Sequence, residues 1–293
     1  MFRRQPWSRL KVQTVLLVLL ILAPAALGRA VDTGPLPAQQ WNQENLSRIK
    51  GLAAEPLTFT VLGDNRDNPE IFGKVLKLAD NDPGLTFAIH LGDMVHNADL
   101  AQYRIFFDGV RQNYRQPMVT VIGNHELYGE GGWERGLELY REIFGPDYYS
   151  FQVGDNYFIV VDDAAKEVMT PEQFSWLEAE LKKSQAYKTR LVFLHVPLFD
   201  PSGSPKPHSL PPEAAARLLA LFKKYQVSHV FAAHLHGYYA GAWDGLPYTI
   251  TGGAGAPMYG KNTRHDFYHY VKVAIAGGKV KVQVRPLDDR EGK

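Results

Sequence analysis

Five short apolar runs, each ending in side chains that can bind a metal ion, constrain this chain more than any other feature. Leu57–Leu62 runs into Gly63-Asp64, and residues 86–91 run into Gly92-Asp93. Residues 119–122 lead to Gly123-Asn124-His125-Glu126, residues 191–194 to His195, and residues 227–233 to His234-Leu235-His236. Runs of this length rich in β-branched and aromatic residues read as buried strands, and a glycine lets the backbone turn sharply where a strand stops. In open α/β sheets, ligands gather just beyond the carboxyl ends of such strands.

Helices are expected between these strands. Residues 70–81 place Ile71, Val75 and Leu78 at near-helical spacing before the turn Asn81-Asp82-Pro83-Gly84, and residues 100–115 form a second amphipathic stretch stopped by Gln116-Pro117. Strand and helix in alternation imply parallel strands with crossover helices. A further helix is expected over 134–144, and 148–162 reads as a β-hairpin around Gly154-Asp155-Asn156. Thr170-Pro171-Glu172-Gln173 has the form of a helix start, with Thr as N-cap and Pro at the first position. Residues 212–225 read as helical, while 248–251 and 268–284 read as strands, the latter folded at Gly277-Gly278. These C-terminal strands suggest a second, largely antiparallel sheet. The Pro-rich stretch 196–212 is either a substrate lid or a plain surface loop.

With 293 residues and 45% hydrophobic content, the chain suits one large α/β domain. A formal net charge of +1 gives no reason to expect nucleic acid as a partner. The absence of cysteine excludes disulfides, thiolate ligands and a Cys nucleophile, so any metal must be held by nitrogen and oxygen. No Gly-x-Ser-x-Gly elbow supports a serine hydrolase. Residues 1–30 read as an export signal: Arg3, Arg4, Arg9 and Lys11 precede an apolar run over 12–23, and small residues follow at Ala25, Ala26, Gly28 and Ala30. That predicts a periplasmic or secreted protein; the alternative is an uncleaved membrane anchor, and the Arg3-Arg4 pair raises twin-arginine export. Residues 31–50 read as a linker with room for one helical turn, and 51–293 as the functional domain.

Asp64, Asp93, Asn124, His195, His234 and His236 form a ligand set suited to two ions side by side, of iron, manganese or zinc. Two such ions can share a carboxylate and a hydroxide that attacks phosphorus in line with the leaving group, while a nearby His protonates the departing alkoxide. The five fragments, in this order, resemble the calcineurin-like metallophosphoesterases, which include the purple acid phosphatases. The resemblance spans about residues 57–237 and implies a four-layer αββα sandwich with two mixed β-sheets. It implies that Asp93 bridges the metals, that Asp64 and His236 serve the first, and that Asn124, His195 and His234 serve the second. His125 then stands near the leaving group, and Asn124 and His125 meet the substrate.

The pattern has departures. The first motif reads Asp64-Asn65-Arg66, without the His that many members carry. Purple acid phosphatases place a Tyr three residues after the bridging Asp; here that position is His96, which is expected to take the vacant place on the first metal. Arg66 can fork onto phosphate oxygens, or pair with Asp67 or Glu126. The expected activity is hydrolysis of a small phosphate ester. The alternatives are a diester rather than a monoester substrate, or a weakened metal- or phosphate-binding protein on the same scaffold. Among the other histidines, His90 and His229 read as core, His208 as exposed, and His265 and His269 as surface residues. Gly252-Gly253-Ala254-Gly255-Ala256 reads as a tight turn or close backbone approach rather than a phosphate loop.

Overall fold

The computed structural model describes residues 34–288 apart from 53–54, 166–167, 261 and 263. The export reading of residues 1–30 lies outside the described residues. The elements are α1 (Trp41–Ile49), β1 (Leu57–Leu62), α2 (Pro69–Asn81), β2 (Ala88–His90), α3 (Leu100–Asn113), β3 (Met118–Thr120), α4 (Gly132–Phe144), β4 (Tyr149–Val153) and β5 (Asn156–Val160). They continue with α5 (Pro171–Ser184), β6 (Thr189–Phe193), α6 (Pro212–Lys224), β7 (His229–Ala232), β8 (Tyr238–Trp243), β9 (Leu246–Thr251), β10 (His269–Ala276) and β11 (Lys279–Pro286). Among the described residues no helix is long and apolar enough to cross a membrane.

Two mixed sheets carry the fold. The first has the order β11-β10-β1-β2-β3 and the second β4-β5-β6-β7-β9-β8. Strands β1, β2 and β3 are parallel, as are β5, β6, β7 and β9. The period-2 alternation of each strand then divides its side chains between layers. Phe59 and Val61 of β1 and Leu191 and Phe193 of β6 face the layer between the sheets. Leu62 of β1 packs outward under α2, α3 and α4, and Val192 of β6 packs under α5 and α6. The result is the expected αββα sandwich. Its central layer is a run of rings: Phe59 meets Phe158 at 5.6 Å, Phe158 stacks on Phe193 at 5.9 Å, and Phe193 stacks on Phe231 at 5.2 Å.

Three expectations are corrected. The C-terminal strands do not make a separate antiparallel sheet: β10 pairs antiparallel with β1 and draws β11 into the first sheet, while β8 and β9 extend the second. Pairing is decided by which edge a hairpin meets, and local pattern does not carry that information. The stretch read as a linker contains α1, whose buried Asn45 and Asn42 side chains accept the backbone N–H groups of Met118 and Thr120. That helix covers the free edge of β3 with polar side chains, which an apolar-pattern reading passes over. In α2 the buried stripe is Phe72, Val75, Leu76 and Ala79, while Leu78 is exposed. The expected helix is there, turned by about one residue.

Candidate metal centre

Each predicted ligand loop leaves the carboxyl end of a strand at the same end of the sandwich. Asp64 follows β1 and Asp93 follows β2, and Asp64 donates its backbone N–H to the Gly92 carbonyl at 3.0 Å. Asn124 opens a single 3₁₀ turn, Asn124–Leu127, after β3. From the second sheet, His195 follows β6 and His234 and His236 follow β7. Asp64, Asp93 and His234 have φ of 57°, 56° and 63°, a left-handed backbone uncommon outside glycine, though Asp and His adopt it more readily than most, and one that clusters at functional sites.

Glycines make this crowding sterically feasible. A Cβ on Gly92 would lie 2.6 Å from the Gly123 nitrogen, so the Gly-Asp and Gly-Asn-His loops touch only because both carry glycine. A Cβ on Gly252 would meet the Leu235 carbonyl at 2.6 Å and Asp64 Oδ2 at 2.8 Å. The Gly252–Ala256 stretch is therefore the close backbone approach expected of it.

Two clusters with ligand atoms within 4.8 Å of one another result: Asp64, Asp93 and His236, and Asp93, His195 and His234. Asp93 belongs to both. His195 donates its Nδ1–H to the Leu91 carbonyl at 2.8 Å, which leaves a lone pair on Nε2. That lone pair faces Asn124 Oδ1 at 3.0 Å, Asp93 Oδ1 at 3.3 Å and His234 Nδ1 at 3.2 Å. His236 likewise commits Nδ1 to the Pro257 carbonyl at 2.6 Å, and its Nε2 stands 3.5 Å from Asp64 Oδ1. Both of those last atoms are buried without a hydrogen-bond partner. Converging acceptors in a buried space are costly unless cations lie among them, so the residues present fit bound metal ions. Burial, followed by the charge of Asp64, pushes Asp93 well above the usual carboxylate range. Cations held among these oxygens would offset that penalty.

The remaining predicted residues are arranged around these clusters. His125 Nε2 lies 3.9 Å from Asp93 Oδ2, while its Nδ1–H donates to the His96 carbonyl at 2.7 Å. Burial lowers the His125 pKa to about 4. Arg66 places Nε 3.6 Å from Asp93 Oδ2 and pairs through Nη1 with Asp67 at 2.6 Å. Of the two carboxylates weighed for Arg66, Asp67 is thus its partner. His96 is not drawn into either cluster: its half-exposed ring turns Nδ1 to Asp67 Oδ1 at 2.9 Å. The neighbouring Asp67 and Arg66 offer it charged partners closer to solvent.

Glu126 accepts the backbone N–H groups of Gly123 and Asp93 on Oε2, at 2.7 and 2.8 Å, and that of Met94 on Oε1 at 2.8 Å. It ties the Asp93 and Asn124 loops together, and burial pushes its pKa up to about 7. Asp163, after β5, does the same for the His195 loop. Tyr259 stacks on His236 at 4.2 Å and donates its hydroxyl to the His234 carbonyl at 3.2 Å. His208 from the Pro-rich stretch stacks on Tyr259 at 4.7 Å, so that stretch reaches the site and His208 is only half-exposed. Sequence reasoning gave Asp163 and Tyr259 no role: Asp163 does follow an apolar strand, β5, but that strand reads as the second arm of a hairpin, and Tyr259 stands in no strand-end pattern. His90 and His229 are buried as expected, but His269 is buried too, accepting from Thr251 Oγ1 on Nε2 at 3.0 Å and donating to the Phe267 carbonyl.

A sequence model of the calcineurin-like phosphoesterase family matches residues 57–238. A serine/threonine-protein phosphatase CPPED1 of Rattus norvegicus is 29% identical over 157 residues, covering 50% of this chain and 50% of that one. A phosphoenolpyruvate phosphatase of Allium cepa is 28% identical over 163 residues, covering 50% of this chain and 33% of that one. The chain thus spans about half the length of the first of these relatives and less of the second. Among solved structures, the purple acid phosphatase PPD1 from Lupinus luteus seeds superposes with a TM-score of 0.65 at 18% identity, covering 81% of this chain and 52% of that one. That likeness concerns the fold.

Proposed function

The chain belongs to the calcineurin-like phosphoesterase family, and on that premise we propose that it is a two-metal hydrolase of phosphate monoesters. The observation that carries this is the pair of ligand clusters sharing Asp93, with ring lone pairs and carboxylate oxygens turned inward. Asp64, Asp93 and His236 would hold one ion, and Asp93, Asn124, His195 and His234 the other. When bound, such ions neutralise phosphoryl charge and make a water nucleophilic at neutral pH. The protein's own groups supply binding and proton transfer. Arg66, fixed by Asp67, presents positive charge beside Asp93 and favours a dianionic monoester. His125 acts as proton donor to the leaving group in its imidazolium form, because its Nδ1 proton is already committed to the His96 carbonyl. A phosphate dianion beside it favours that form. The names of the relatives, both phosphatases, support the same class.

The test is a side-by-side rate assay of metal-reconstituted protein on an aryl phosphate monoester and an aryl phosphate diester, with Asp93→Ala as control. Faster monoester turnover that the control lacks is the expected result. Preferred diester turnover would reverse the substrate assignment, and no turnover with manganese, iron or zinc would overturn the enzyme reading. The basic and apolar pattern of residues 1–30 supports an exported protein. N-terminal sequencing of the protein from the periplasm should begin near residue 29 or 31; a cytoplasmic protein starting at Met1 would refute export.

A further inference from the structure

Asp163 lies just past the end of β5 and belongs to neither ligand cluster, yet it is 1% exposed. Its Oδ1 accepts the backbone N–H of His195 at 2.9 Å and of Val196 at 3.2 Å, and its Oδ2 accepts from Val196 at 3.1 Å. Each of these bonds ends on the loop that delivers a candidate ligand from the second sheet. A buried carboxylate is expensive to place, and here it is directed at main-chain donors of one short segment.

The segment bearing Asp163 is itself anchored. The side chain of Gln173, in the first turn of α5, donates to the Asp162 carbonyl and accepts the Asp162 N–H, both at 2.9 Å. A continuous path of hydrogen bonds therefore runs from α5 through Asp162 and Asp163 to the His195 backbone. At its far end the His195 ring is turned by the Leu91 carbonyl, 2.8 Å from Nδ1. One contact sets where the residue sits, and the other sets how its ring is rotated. Together they place Nε2 between Asn124 Oδ1, Asp93 Oδ1 and His234 Nδ1.

We infer that Asp163 is a positioning residue for the second metal site, holding the His195 backbone so that Nε2 meets its ion. The inference rests on the two-metal reading above. Its first consequence is selectivity. Asp64 and His236 hang from other loops, so loss of Asp163 should loosen the ion of the Asp93–His195–His234 cluster and spare the ion of the Asp64–Asp93–His236 cluster. Its second consequence is that an oxygen acceptor matters and a full charge does not, since Oδ1 alone reaches both amides.

The experiment titrates metal-free full-length protein with Mn(II) and counts bound ions by equilibrium dialysis, for wild type, Asp163→Ala and Asp163→Asn. Wild type should bind two ions. Asp163→Ala should keep one at wild-type affinity and hold the second about 10–100-fold more weakly. Asp163→Asn should bind both nearly as wild type does. The inference falls if Asp163→Ala binds both ions unchanged, if it weakens both alike, or if Asp163→Asn loses the second ion as the alanine variant does. A wild type that binds fewer than two ions removes the two-metal reading, and this inference with it. If Asp163→Ala does not fold, Asp163→Asn decides, with hydrogen exchange read on the peptide carrying His195 and Val196. Slow exchange with two ions bound sustains the role, and fast exchange or a lost second ion overturns it.

Discussion

The two sheets meet at the candidate metal centre but contribute different chemistry to it. The first supplies candidate oxygen ligands, Asp64, Asp93 and Asn124, on loops packed so closely that glycine is required at their contact. The second supplies the candidate nitrogen ligands His195, His234 and His236, two of them aimed by a ring N–H donated to a carbonyl. Carboxylates would bring charge that offsets bound cations, and imidazoles would bring direction. The halves are tied to each other across the gap. Leu91, from the first sheet, turns the His195 ring, and Asp64 Oδ2 accepts the His234 N–H at 2.9 Å. A site of this kind depends on the sheets keeping their relative position as much as on the ligands themselves.

The largest test of that division removes one nitrogen ligand at a time. His236→Ala and His195→Ala should each lower kcat about a thousandfold, the equivalent of several kcal/mol of transition-state stabilisation. Metal analysis should show each variant losing a different ion, and loss of both ions from either variant would break the picture of two separable clusters. Next comes the layer between the sheets. Phe158→Ala should cost about 3–5 kcal/mol in urea unfolding, since a buried ring that touches both Phe59 and Phe193 is lost. Weakened binding of both ions in that variant would confirm that the sheet interface holds the site together.

A smaller effect is expected at His125. His125→Ala should slow hydrolysis of an alkyl phosphate about a hundredfold and leave a nitrophenyl phosphate nearly unaffected, because only the alkoxide needs a proton. Equal losses on both esters would assign His125 to binding instead. The smallest concerns His269, far from any ligand role. Burial lowers its pKa to about 4, so between about pH 6.5 and that value the unfolded chain binds a proton that the folded one refuses. Stability from this group is present above pH 6.5 and falls as the pH drops. Wild type should lose about 2 kcal/mol more than His269→Gln between pH 7 and pH 5, read from urea midpoints. A variant with the same slope would remove the assignment.

The strand-end pattern was legible because two constraints coincide there. Apolar runs must be buried, and polar side chains that follow them directly, three times after a glycine, must emerge at the strand's carboxyl end. Reading these five endings in order sufficed to bring Asp64, Asp93, Asn124, His195, His234 and His236 together before any fold was known. The helix start at Thr170 was equally readable, and its hydroxyl accepts the Gln173 N–H as its type and spacing imply. His96 was not: its place three residues after Asp93 makes it a candidate ligand, but its ring answers to Asp67, which no spacing rule brings into view.

The sequence by itself determined the alternation of strands and helices, the ligand types and their order, because each follows from local burial and turn chemistry. Only the tertiary structure decided which edge β10 and β11 join, that α1 closes the β3 edge, and that Asp163 and Glu126 hold the ligand loops. Those outcomes depend on hydrogen bonds between residues tens of positions apart, such as Asp163 with His195 and Asn42 with Thr120. A main-chain N–H looks the same at every position of a sequence, and the fold alone selects which buried carboxylate it meets.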